Sequence, residues 1–347
     1  MQTKFFKILS LCALILSHSP VNAACFHRGE EWEKEEILYD NFQDGGASYS
    51  QKWVSPFYGI AGETYFQDGG NLLLSFPKGR IKVSSPLFSW ASNQLFYDHL
   101  KYFAMSTRSF AIPQRGSIEF SANIKCQLLN TIPDLTMIAN KVSTGAEVRY
   151  KLEVGRQAGA TLHMLNLSET GVLFDWLVSG TKAYPIYERL FNAPVDPANI
   201  ETAFTQIFDE FDISPKMHKF GIRYTRDITT GEDKVDYFID GKIKATIRNI
   251  GIPLTLSGSN AVYPAQGPGE RLINELSQFT IGQGVVSVLD VFPFGQDDIH
   301  GDTVTIPLRG AVIDLNSSEP KVNSRLWGQG AVGEFTNFKV IIKTLKD

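Results

Sequence analysis

Polar and apolar residues alternate with period two along much of this chain. Ile118, Phe120, Ala122 and Ile124 share one parity, and Glu119, Ser121, Asn123 and Lys125 the other. Such alternation predicts a strand with one solvated face, as on an outer sheet. Val148, Tyr150, Leu152 and Val154 alternate with Glu147, Arg149, Lys151 and Glu153 in the same way. Residues 172–178 differ, because Asp175 is their only polar member. A strand apolar on both faces predicts an inner sheet whose far side is covered. The sharpest local signal lies at 218–243. Residues 218–226 and 235–239 are alternating runs, and Asp240-Gly241 leads into Lys242-Ile243. Asp-Gly between such runs marks a tight hairpin, because the turn needs positive φ. Three successive antiparallel strands are expected there. One segment reads two ways. Ile200, Ala203, Phe204, Ile207, Phe208 and Phe211 follow helical spacing after Asp196-Pro197, an N-cap and N1 pair. They also suit an aromatic strand; a helix over 197–212 is the preferred reading.

The ends of the chain set its boundaries. Lys4 and Lys7, an apolar stretch at 8–16 and the small residues around Ala23 have the layout of a cleaved signal peptide, 1–23. A secreted or periplasmic protein is expected. Lipid anchoring through Cys25 is disfavoured by the polar Asn22 three positions before it. Residues 24–35 are charged and read as a flexible leader. A single domain is expected over 36–347, with a strand at each end that pair with one another. The Gly-, Pro- and Ser-rich stretch 257–276 reads as a rim or lid loop.

Composition narrows the partners. Cleaving 1–23 takes Lys4 and Lys7 from the 33 basic residues, leaving 31 against 37 acids, a charge of −6. This argues against nucleic acid, which needs a basic footprint. No later apolar run is long enough to span a bilayer. A monomer is expected, with a polysaccharide or other small molecule as ligand. Cys25 and Cys126 either pair, closing a loop of about 100 residues worth roughly 4–5 kcal/mol, or stay apart with Cys126 buried on a strand. Neither cysteine spacing nor His spacing builds a metal centre, and no catalytic metal or cofactor is expected. Phe42-Gln43-Asp44-Gly45-Gly46 and Phe66-Gln67-Asp68-Gly69-Gly70 are near-repeats. Two similar turns explain them. A structural calcium at Asp44 or Asp68 is the alternative, against which stands the need for six to eight oxygens.

The pattern His-x-Phe-x-Ile-x-Tyr at 218–224, followed by Val-x-Tyr-Phe-Ile-Asp-Gly at 235–241, resembles the inner strands of concanavalin A-like jelly rolls. These occur in family 16 glycoside hydrolases and related lectins. The resemblance implies an all-β fold, a concanavalin A-like jelly-roll sandwich of two antiparallel sheets. The hydrolases carry a Glu-x-Asp-x-Glu strand, which places paired carboxylates on one face. This chain has no such run, so their mechanism does not transfer. Asp98-His99-Leu100-Lys101-Tyr102, Tyr187-Glu188-Arg189-Leu190 and the later Gly269-Glu270, Phe279-Thr280 and Leu289-Asp290 resemble blocks of an uncharacterised secreted family, domain of unknown function 6081. That likeness implies that these blocks form a shared site, and it brings no activity.

The candidate catalytic residues are Asp175, Glu188 and His99. Asp175 sits in an apolar strand, where burial raises a carboxyl pKa and suits it to general acid work. The bland alternative pairs it with an arginine such as Arg189. Tyr184 and Glu188 share one strand face, Tyr187 and Arg189 the other. Lys101, Trp176, Tyr184, Tyr187 and Arg189 are the candidate binding residues, the aromatic ones as stacking platforms for sugar rings. His163 on strand 161–167 is a further candidate, and His218 reads as structural. Three functions follow. The first is binding of a glycan, or its cleavage by a hydrolase or lyase route, in the groove of the inner sheet. The second is proton transfer on a small hydrophobic substrate. The third is non-catalytic interaction. The first is preferred, provided Trp176, Tyr184 and Tyr187 are not all buried between the sheets.

Overall fold

The computed structural model describes residues 31–54, 73–84, 100–130, 136–140, 147–151, 158–189, 204–207, 209–252, 260–261, 270–287, 303–306, 311–314 and 330–346. Among these the only helix is a single turn, Tyr49–Lys52. The first sheet holds eight strands. In spatial order they are β17 (Lys242–Arg248), β16 (Glu232–Ile239), β15 (His218–Asp227), β7 (Arg115–Leu129), β24 (Gly330–Leu345), β4 (Ile81–Ser84) and β3 (Leu73–Ser75), with β1 (Trp32–Asp40) also on β24. The second sheet holds ten. Its order is β19 (Asn260–Ala261), β13 (Phe204–Ile207), β12 (Lys182–Arg189), β11 (Val172–Ser179), β10 (Ala158–Asn166), β21 (Gln278–Ser287), β5 (Leu100–Ser106) and β2 (Trp53–Val54), with β14 (Phe211–Asp212) on β12 and β6 (Phe110–Ala111) on β21. A third, smaller sheet joins β8 (Thr136–Asn140), β9 (Glu147–Lys151), β22 (Thr303–Ile306) and β23 (Ala311–Asp314). Strands β18 (Gly251–Ile252) and β20 (Glu270–Arg271) pair alone. All described pairings are antiparallel.

The two large sheets pack face to face around one core. Ile118, Phe120, Ala122 and Ile124 of β7 meet Phe174, Trp176 and Val178 of β11 in a single apolar cluster. Side-chain hydrogen bonds cross between the layers, two of them at the centre of the sandwich. Trp176 Nε1 donates to the Gly221 carbonyl at 2.9 Å, and Tyr237 Oη donates to the Ile186 carbonyl at 2.6 Å. Buried polar atoms need such partners, and here they lock the two sheets in register. This is the all-β, two-sheet sandwich that the jelly-roll resemblance implied.

The terminal strands pair as expected, Ile37 opposite Val340 and Trp32 opposite Leu345. The first described strand starts earlier than the sequence suggests. Strand β1 starts at Trp32, so 32–35 are sheet edge rather than leader, and their charges suit an exposed edge. The same flank of β24 pairs with β4 through 332–335 and with β1 from Phe338 onward. A bulge between Thr336 and Lys339, with Asn337 at φ 55°, separates the two pairings.

The Asp240-Gly241 turn is as read. Both residues have positive φ, 50° and 78°, as a two-residue hairpin turn demands. The strands around it belong with β7, however, not with β11; their resemblance to inner strands misplaced them by one layer. The helix over 197–212 is not found where the chain is described. Phe204–Ile207 and Phe211–Asp212 are strands held by β12 and β19. Within 257–276 the chain adds the short strands β19 and β20. Cys126 is a free, buried thiol, and burial pushes it up to about 11. Cys25 and the expected signal peptide lie outside the described residues, as does Asp68. Asp44 accepts from the backbone N–H groups of Gly46 and Ser48, so its carboxylate closes the turn.

One outward-facing charge has a large effect on stability. The Asp236 carboxylate is fully buried and accepts from Lys234 Nζ at 2.8 Å, Arg223 Nη2 at 3.0 Å and Thr246 Oγ1 at 2.7 Å. Burial raises its pKa, but those donors prevail and hold it below the ordinary carboxylate value. Its stabilisation is therefore complete above about pH 4 and lost as pH falls through the lower folded value. Asp236→Asn is expected to cost about 2 kcal/mol at neutral pH. Urea melts of both proteins at pH 7 and pH 3 check this, the difference shrinking at pH 3.

Candidate functional site

The second sheet has a face turned away from the core. Along β10, Leu162 and Met164 join the core, so Thr161, His163 and Leu165 point the other way. On β11 the same parity sends Phe174 and Trp176 inward and Leu173, Asp175 and Leu177 outward. On β12 it sends Tyr187 inward and Tyr184, Ile186 and Glu188 outward. Apart from half-buried Glu188, every one of these outward residues is buried. The covered far side expected for 172–178 is therefore present.

Three polar side chains line up on this face. His163 and Asp175 are directly opposite in the β10–β11 register. His163 Nδ1 lies 2.7 Å from Asp175 Oδ1, and His163 Nε2 lies 2.5 Å from Thr161 Oγ1. The Asp175 carboxylate accepts from Nδ1–H, which leaves Nε2 to accept from the Thr161 hydroxyl. Burial pushes the Asp175 carboxyl up, and the adjoining His163 acts against that shift. The imidazole also packs on Phe103, ring centres 4.8 Å apart. Phe103, Leu165 and Leu173 form their own small apolar cluster on this side of the sheet, flanked by Met105 and Leu167.

Strand β21 leaves room for this relay by carrying glycine at two positions. Gly282 is opposite His163 and Gly284 opposite Thr161. A methyl at Gly284 would stand 2.6 Å from Thr161 Oγ1 and 3.1 Å from His163 Nε2. Gly284→Ala is expected to break the Thr161–His163 contact and to destabilise by about 1–3 kcal/mol through overpacking. Gly221→Ala is the control: its nearest atoms would be 3.6 Å away, an ordinary contact. It should be neutral or stabilise by up to about 1 kcal/mol. Thermal melts of the two variants separate the cases.

The candidate residues fall into distinct places. Asp175 is on the face, paired with His163 rather than with Arg189. Arg189 is buried on the opposite side of β12, and its Nε donates to the Thr170 carbonyl at 2.8 Å. Glu188 is on the same face as Asp175. Tyr184 is on it too, buried, its hydroxyl donating to Glu210 Oε2 at 2.8 Å. Trp176 and Tyr187 are corrected: both are core side chains between the sheets, fully buried. Tyr187 stacks on Phe174 at 4.8 Å, and burial drives its hydroxyl pKa up. Neither offers a ring to a sugar. Lys101 lies on β5 with its side chain outside the described residues, and His99 lies outside them altogether. Thr161 was not singled out by sequence. Its signal was there: Thr161-x-His163 faces Asp175 across a hairpin centred on 167–171. Among the described residues no group of three or more His, Cys, Asp or Glu is arranged to hold a metal. No described helix is long and apolar enough to cross a membrane.

A family model described as a family of unknown function, DUF6081, matches residues 59–344. No curated protein matches the chain. Among solved structures, an endo-1,3-beta-glucanase from Streptomyces sioyaensis aligns at 10% identity and TM-score 0.41, covering 91% of this chain and 97% of its own. The winged bean acidic lectin aligns at 10% identity and TM-score 0.31, covering 91% and 100%. An alginate lyase from Alteromonas sp. 272 aligns at 8% identity and TM-score 0.32, covering 86% and 97%. Likeness this distant transfers no residue role and no activity.

Proposed function

We propose, for a chain that belongs to the family of unknown function DUF6081, that it is an acid–base enzyme whose proton-moving group is His163. The observation that carries this is the Thr161–His163–Asp175 relay on the outward face of the second sheet. An imidazole fixed at Nδ1 by a carboxylate presents Nε2 in one orientation, which is how a general base is prepared. The cluster of Phe103, Leu165 and Leu173 beside it favours a small, weakly polar substrate. The export expected from residues 1–23 would place that substrate outside the cytoplasm.

A second reading keeps the glycan. Asp175 and Glu188 share the outward face on adjacent strands, two positions out of register. The backbones of such diagonal neighbours stand about 7–8 Å apart, a spacing from which two carboxyl groups can reach the roughly 6.5–9.5 Å used by inverting glycosidases. Stacking on Trp176 and Tyr187 no longer supports this reading; the carboxylate pair does.

One screen covers both. Purified protein is incubated with polysaccharides and with small carbonyl compounds in deuterated water. Deuterium entering a carbonyl compound supports the proton-transfer reading. New reducing ends support glycan hydrolysis, and ultraviolet-absorbing unsaturated ends support elimination from a glycan. No turnover of any compound would sink both readings.

A further inference from the structure

A second relay sits on the surface, apart from the first. His218 opens β15, Asp240 stands in the turn between β16 and β17, and Ser214 precedes them in the segment after β14. His218 Nε2 lies 2.7 Å from Ser214 Oγ, and His218 Nδ1 lies 2.6 Å from Asp240 Oδ2. Nε2 is also 3.2 Å from the Ser214 carbonyl oxygen, so the hydroxyl is the nearer contact.

The acid of this relay is rigidly placed. Asp240 has φ 50°, and its N–H donates to the Lys219 carbonyl at 2.7 Å. Its Oδ1 accepts from the Lys219 N–H at 2.9 Å, which leaves Oδ2 for the imidazole. Burial acts to raise its pKa, but the hydrogen bonds from His218 and the Lys219 N–H outweigh it and keep the carboxylate ionised. Ser214 is exposed, unlike the buried Thr161. A cleft of about 180 Å³ on the outward face of the first sheet is lined by Glu119, Lys219, Gly221, Arg223, Phe238 and Gly241, whereas the His218 ring packs toward Phe220 on the other face, so the relay opens to solvent and not into that cleft.

We infer that Ser214, His218 and Asp240 form an acyl-transfer site for small esters that reach it from solvent, with Ser214 as nucleophile. Three roles suffice for this chemistry: nucleophile, base and the group that orients the base. Ser214 Oγ adds to the ester carbonyl carbon while its proton passes to His218 Nε2. The bond from that carbon to the leaving oxygen breaks, and the alcohol departs with the proton from His218. Water then adds to the acyl-serine with His218 again taking a proton. The acid is released, and Ser214 regains its hydrogen.

The test uses the full chain, a fluorophosphonate probe and 4-nitrophenyl esters. The expected result is a probe adduct on the peptide containing Ser214, absent in Ser214→Ala. Adduct formation and ester turnover should fall at least about 100-fold in His218→Gln and in Asp240→Asn. These residues are at the surface, and unchanged melting curves would show that the variants fold. Two results overturn the inference. One is no Ser214 adduct at a probe concentration that labels a known serine hydrolase. The other is a Ser214 adduct that forms equally fast in His218→Gln, which would mark an ordinary hydroxyl. Neither bears on His163, since Thr161 and Ser214 fall on different peptides.

Discussion

Trp176→Ala is expected to cost about 4 kcal/mol of folding stability, the upper range for a large buried side chain. The indole is fully buried, meets Phe220 and Tyr237 edge-on at 5.4 and 5.6 Å, and ties the sheets together through Gly221. Truncation leaves a cavity and removes the indole N–H that donates across the layers to that carbonyl. Urea denaturation followed by circular dichroism measures the loss. A platform for ligand stacking would behave differently: its removal would leave the midpoint unchanged and weaken binding alone. A variant that melts like the parent would show that Trp176 is not the keystone described here.

The second large effect concerns His163. Removing a general base costs typically 100- to 10,000-fold in rate. His163→Gln keeps a hydrogen-bonding side chain of similar length, so it is expected to fold while losing at least about 100-fold in activity. Asp175→Asn should lose less if its amide still meets the ring and more if the tautomer changes, because an amide can donate to Nδ1. A comparable stability in both variants, with activity lost, separates a working relay from a structural one. Activity retained in His163→Gln would make the relay a buried polar brace.

How much of this was legible in the sequence depends on what decided each element. The Asp240-Gly241 turn was legible because its conformation is a local demand of two residues. Strand β7 was legible because one of its faces carries polar side chains, so parity shows in the residue types. Strand β11 was not, because both faces are apolar. Nothing in 172–178 says whether Trp176 or Asp175 points into the sandwich; the neighbouring strands decide it. The sugar platform of Trp176 and Tyr187 failed on that parity. Helical spacing around Phe204 and Phe211 lost to pairing with β12, a contact invisible in the segment itself. The partner of Asp175 was hidden for a simpler reason. His163 and Asp175 meet only when the hairpin between them is counted from its turn, and Arg189 on the following strand is an equally natural charge partner until the faces are known. Ser214, His218 and Asp240 come from three elements, so only the folded chain assembles them.

The outward face of the second sheet is proposed to work through His163. The measurement that tests it most directly is the ratio of wild-type to His163→Gln initial rates on the compound that the substrate screen shows to turn over. A ratio of at least about 100 is expected, with both proteins folded. A ratio near one, or no turnover of any compound by the wild-type protein, would contradict it.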